Sequence, residues 1–171
     1  MTILTTKEHL PVGGARRRSR EFALLGVYQS IIDPDVDFAA IQAGLLDVLT
    51  DESEGALACE LTSEDFKSCD QAFYRAILTG VLSERDALME LLAKHVDRDP
   101  ARLSVIERAC LMIGAWELKH CPENPYRVII NEAVELSKQF GADKGYRLVN
   151  GVLDKVACEV RPEEFASQHA S

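Results

Sequence analysis

Four arginines within five residues, Arg16, Arg17, Arg18 and Arg20, are the side chains whose type and spacing point most directly to a chemistry. That chemistry is anion recognition. A guanidinium offers two parallel hydrogen bonds to a phosphate, which an ammonium cannot. The placement is unfavourable for folding alone. The apolar pattern begins a helix at Arg16, and there the helix dipole opposes each cation by roughly 0.3–1 kcal/mol. Arg16 and Arg20 are also like-charged neighbours four apart. Arg17 and Glu21 share that spacing and can pair. Nucleic-acid phosphate is the expected use of the remaining charge. Replacing Arg16, Arg17 and Arg18 with Ala is then expected to weaken nucleic-acid binding and leave the fold intact or slightly more stable. A weaker second set is Lys144, Arg147, Lys155 and Arg161, in which Lys144 and Arg147 are three apart on one helix face. For both sets a solvated basic helix end stays open as the alternative.

Catalytic chemistry finds little support. His9, His95, His120 and His169 do not pair with Cys, Ser or a carboxylate at motif spacing. Glu107, Glu117, Glu132 and Glu135 fall on two helical segments without the Glu-x-x-His of a di-metal bundle. No glycine-rich phosphate loop precedes a lysine. The cysteines at 59, 69, 110, 121 and 158 form no Cys-x-x-Cys pair and read as small core residues of a reduced, cytoplasmic chain. The expectation is no catalytic residue, no metal and no cofactor.

These residues must be positioned by helices. The chain has 171 residues, 47% hydrophobic and 27% charged, enough apolar material for one domain. No apolar run reaches the ~18–20 residues of a membrane span. The net charge of −9 argues against nucleic acid, but its distribution does not. Residues 1–20 carry Lys7 and the four arginines against Glu8, whereas residues 33–66 carry ten acids and no Lys or Arg. Apolar spacing predicts helices from Arg16 to Ile32, over Phe38–Leu49, from Thr62 or Ser63 through Gly80, over Leu88–Val96, Leu103–Leu118, Tyr126–Phe140 and Tyr146–Val160. Asp33-Pro34, Asn124-Pro125, Gly141 and Pro162 punctuate them. The fold class is all-α: six or seven helices in two small bundles, about 15–96 and 101–162, forming a single domain at 15–162. Residues 1–14 are expected to be a flexible arm and 163–171 a flexible tail. Tyr28 and Tyr146 are the aromatics considered for base stacking; Tyr146 falls on the core stripe, which favours packing.

The string Ala15-Arg-Arg-Arg-Ser-Arg-Glu21 followed by Tyr28 resembles the N-terminus of the NusB family of bacterial antitermination factors. So does the C-terminal half, in Pro125-Tyr-Arg-Val-Ile-Ile-Asn-Glu-Ala-Val-Glu-Leu136, Phe140-Gly141 and Val149-Asn-Gly-Val-Leu-Asp154. The resemblance implies two three-helix bundles and an activity of binding only. It implies pairing with the ribosomal protein NusE, binding of single-stranded boxA RNA in ribosomal RNA leaders, and assembly with NusA, NusG and RNA polymerase. It places Arg16, Arg17, Arg18 and Arg20 on RNA, and Tyr28 and Glu107 against NusE. Asn131, Glu132, Asn150 and Gly151 match the family signature and are expected to be structural, since Asn and Gly inside helices suggest close helix packing or a local hydrogen bond rather than contact with RNA. Family members often carry Phe before Val-Asn-Gly, suited to stacking on a base; this chain has Leu148. Lys144 stands where an acid is frequent, and the arm before Ala15 is longer than usual. A homodimer that hides a binding face is left open. The rival reading is a protein-only adaptor that docks a basic partner on the acidic segment.

Overall fold

The structure is a computed structural model that describes residues 12–50 and 61–169, with side chains from 14–47 and 61–169. Among the described residues it is all-helical: α1 (Val12–Ile32), α2 (Phe38–Thr50), α3 (Ser63–Ser68), α4 (Gln71–Ser83), α5 (Arg85–Ala93), a 3₁₀ turn at Pro100–Arg102, α6 (Val105–His120), α7 (Tyr126–Phe140), α8 (Gly145–Val160) and α9 (Pro162–His169).

Local chemistry sets these boundaries. Thr62 and Asp65 form a reciprocal capping box at the start of α3, and Ser104 and Glu107 form another at the start of α6. Asp70 caps α4 by accepting from the Phe73 N–H. This cap breaks the long third helix expected from Thr62 to Gly80 into α3 and α4. The chain is pinned at the break: the Asp70 N–H donates to the Ala15 carbonyl and the Ser19 hydroxyl donates to the Asp70 carbonyl. Periodicity ignores such a break because apolar residues lie on both sides of it. Pro125 flanks α7 as its cap instead of opening it, a shift of one residue.

Two further expectations change. α1 begins at Val12, so residues 12–14 belong to a helix; the rest of the expected arm, and the loop at 51–60, lie outside the described residues. Pro162 ends α8 and at once opens α9, where a loose tail was expected. Proline suits a first helical turn, because its missing N–H would have no intrahelical partner. Phe165 of α9 packs on the core and lies against Tyr126 at 5.5 Å between ring centroids.

α1 lies along α4 and α6, α2 and α3 close over α1, and α6, α7 and α8 pack mutually, with α9 against α8. Phe22 and Leu24 of α1, Ile77 of α4, Leu111 and Ile113 of α6, Ile129 of α7 and Leu153 of α8 belong to one apolar cluster. The core is therefore continuous past the boundary expected at residues 97–100. α6 is its axis; every residue from Ala109 to Leu118 is buried.

Gly80 lets α4 approach α6. A Cβ there would meet the Trp116 indole Nε1 at 2.1 Å. At Gly151, on the exposed side of α8, a Cβ would meet nothing within 4 Å. The packing role expected of Gly151 is thus not what the fold shows, and Asn131 and Asn150 are exposed as well. Gly80→Ala is expected to lower stability by about 1–3 kcal/mol through overpacking, while Gly151→Ala raises it by ~0.5–1 kcal/mol. Thermal unfolding of the two variants, read side by side, checks the opposite signs.

Candidate nucleic-acid interface

The arginine run lies in the second and third turns of α1, since the helix starts at Val12. The dipole effect fades after the first turn, so the electrostatic objection to these cations is smaller than the sequence implied. The helix spreads the four side chains over different surroundings, and each has an internal partner.

Arg20 is buried. Its Nε donates to both Glu117 carboxylate oxygens, at 2.9 and 3.2 Å, and the two side chains are 6% and 1% exposed. The expected RNA contact by Arg20 is therefore overturned: a guanidinium already desolvated against a buried carboxylate has no surface to offer a phosphate. Arg16 donates to Asn124 Oδ1 at 3.0 Å, with its guanidinium 3.9 Å from the Phe73 ring centroid. Arg18 pairs with the buried Glu21 at 2.8 Å. That contact takes the carboxylate that the sequence assigned to Arg17. Arg17 instead reaches α7 and grips Glu132 through Nε and Nη2, at 3.0 and 2.9 Å. It is the most open of the four, with half of its side chain exposed against 14% for Glu132.

Burial pushes the Glu117 carboxyl above its ordinary value, and the Arg20 and Arg16 guanidiniums pull the other way. Glu132 holds the Arg17 guanidinium even more firmly protonated than usual. Arg161, from the second basic set, is also buried. It donates to the carbonyls of Glu117, Leu118, Cys121 and Asn124, at 3.3, 2.9, 2.6 and 2.6 Å, which closes the C-terminal end of α6. Its remaining partner is Glu164 of α9 at 3.0 Å.

Lys144 and Arg147 are exposed, at the entry to α8. Lys144 takes a left-handed conformation, φ 71°, that turns the chain into the helix. Between them Tyr146 is half-buried, with Lys138 Nζ 4.9 Å and the Arg147 guanidinium 5.9 Å from its ring centroid. The neighbouring Arg147 lowers the Tyr146 phenol from its ordinary value, and Lys138 adds to this. Leu148 is half-buried against the core. A cleft of about 210 Å³ lined by Arg17, Glu132, Glu135, Lys138 and Gln139 joins the start of α1 to the outer face of α7. The structure thus brings Arg17, Lys138, Tyr146 and Arg147 to one side and removes Arg20.

Tyr28 sits half-buried near the end of α1. Glu107 is occupied in its capping box, accepting from the Ser104 N–H at 3.3 Å. Lys138 escaped the sequence reading, since nothing in its spacing announces a neighbour eight residues later across a turn. Glu117 gave a signal: it is the one charge within the apolar run Leu111–Leu118. No group of three or more His, Cys, Asp or Glu able to hold a metal occurs among the described residues.

The described residues thus define an all-helical scaffold that presents a charged face from α1, α7 and α8. Residues 17–158 match the NusB family. A transcription antitermination protein NusB from Ralstonia pickettii (strain 12J) is 42% identical over 162 residues, 95% of this chain and 94% of that protein. The chain belongs to the NusB family. A solved NusB of T. maritima superposes with a TM-score of 0.69 at 25% identity, over 88% of this chain and 96% of that one. A crystal structure of antitermination factors NusB and NusE in complex with dsRNA shares the fold, with a TM-score of 0.64 at 16% identity, covering 85% of this chain and 97% of that one.

The geometry reverses the stability half of the expectation for the arginines, because every one of them has a partner to lose. Arg20→Ala strands the Glu117 carboxylate in the interior and is expected to cost roughly 3–5 kcal/mol. Arg17→Ala, screened at the surface, costs about 1 kcal/mol or less. Urea unfolding of both variants measures the contrast; equal losses would show that burial does not divide the run.

Proposed function

We propose that this chain is a transcription antitermination factor that binds boxA RNA in ribosomal RNA leaders together with NusE, and carries out no chemistry on either. The observation that carries the reading is the kinship with transcription antitermination proteins over nearly the whole chain. The exposed cations support it. Arg17, Lys144 and Arg147, with Arg16 and Arg18 at the margin, supply phosphate contacts, and Lys138 joins them. Tyr28 and Glu107 face NusE. The complex then joins NusA, NusG and RNA polymerase in the cytoplasm; a homodimer is the proposed stored form, in which the partner-binding face is covered. No helix among the described residues is long and apolar enough to cross a membrane.

One observation favours the adaptor reading as a second. Pro34, Val36, Phe38 and Leu82 line an open groove of about 810 Å³ together with three acids, Asp37, Glu84 and Asp86, and one cation, Arg85. A basic, partly apolar partner segment suits such a surface.

The test is fluorescence anisotropy of labelled boxA RNA with the chain alone and mixed with NusE, at several salt concentrations. Affinity is expected to rise when NusE is added. It should fall with salt at a log–log slope of about 0.7 per phosphate contact on a single strand. Absence of binding with NusE present at low salt would overturn the RNA reading and leave the adaptor.

A further inference from the structure

We propose that Tyr146 is a stacking platform for an unpaired RNA base, with Lys138 and Arg147 as the cations that hold the flanking phosphates. This rests on the RNA-binding reading above and names a residue which that reading does not use.

Tyr146 occupies the first turn of α8, immediately after the left-handed turn at Lys144. Its ring is anchored, because it packs on the apolar core while part of it stays open to solvent. Anchoring matters, since a ring already held in place loses little freedom when a base settles on it. An ammonium from α7 and a guanidinium from α8 stand around the same ring. Cations gather at an aromatic face because of its negative quadrupole. A base can take the same face, since base–aromatic stacking needs only a π-surface. Lys138 is the cap most easily displaced. Its side chain is half exposed, and its ion pair with Glu135, at 3.5 Å, is at the surface. Moved from the ring to a phosphate, it keeps a counter-charge.

The surroundings continue this surface. Glu132, Glu135 and Lys138 are spaced three apart on α7, and the cleft they line runs to Arg17. Phosphates can follow Arg17, Lys138 and Arg147, with Tyr146 between the last two. Leu148 has no π-face and is half-buried against the core, so it does not supply the stack. Exposed tyrosines are few: the chain has four, and Tyr74 and Tyr126 are buried.

The experiment compares single-stranded boxA RNA with a duplex of the same sequence, NusE present throughout, on wild type, Tyr146→Phe, Tyr146→Leu and Lys138→Ala. Leucine keeps the apolar anchor and removes the ring; phenylalanine keeps both. Tyr146→Leu is expected to bind the single strand roughly tenfold more weakly, within the range for one lost stack. The duplex, whose bases are already stacked, should be unaffected. Tyr146→Phe should match wild type. The salt slope should be unchanged in Tyr146→Leu and flatter by about 0.7 in Lys138→Ala. Thermal unfolding confirms that each variant is folded. Wild-type affinity of Tyr146→Leu for the single strand, or an equal loss on both RNAs, overturns the platform while the RNA reading stands. Failure of wild type to bind either RNA overturns both.

Discussion

Arg20 and Glu117 are a charge pair withdrawn from water between α1 and α6, and the arrangement of the whole charged surface follows from it. Such a pair adds little net stability over an apolar one, because desolvation consumes most of the Coulombic gain. What it imposes is position. Once Glu117 lies inside the apolar axis of α6, a guanidinium must meet it, and Arg20 can do so only if α1 holds one rotation and one height. That rotation points Arg17 outward to Glu132, Arg16 onto Phe73 and Asn124, and Arg18 back to Glu21. Arg161 repeats the device at the same C-terminal end of the helix, replacing the missing hydrogen-bond donors of the last turn of α6.

A run that looks uniform in sequence is thus divided by burial. Two guanidiniums, Arg20 and Arg161, serve the interior, and Arg16 and Arg18 are partly engaged there. Arg17 keeps half its surface and a partner that a phosphate can rival, since an exposed ion pair is weak and screened. The outward cations of the α7–α8 turn complete the face. The acidic segment from 33 leads away toward α2, so repulsion limits where a polyanion can settle.

The helices were readable from spacing and punctuation because each buries one stripe, and Pro, Gly and the capping residues mark their ends. The break at Cys69–Asp70 is not, because apolar residues lie on both sides of the Asp70 cap and the bonds to Ala15 and Ser19 that pin it come from far away in the chain. α9 was missed for the opposite reason: proline signals both an end and a beginning. At the site, the type of charge was readable but its allocation was not. Whether an arginine stays open to an anion or pairs with a buried glutamate depends on which carboxylate α6 and α7 bring near it, a long-range fact. Family likeness gave the class of partner, yet it placed Arg20 on RNA together with its exposed neighbours. Tyr146 was assigned to the core by its stripe; it is there in part, and its open edge emerges only when α7 sets Lys138 beside it.

The most direct measurement follows the arginine side-chain Nε–H signals by NMR as boxA RNA is titrated into the labelled complex with NusE. The account requires the Arg17 and Arg147 signals to shift while those of Arg20 and Arg161 stay in place, protected from solvent exchange throughout. A shift of the Arg20 signal as large as that of Arg17, with loss of its protection, would contradict it.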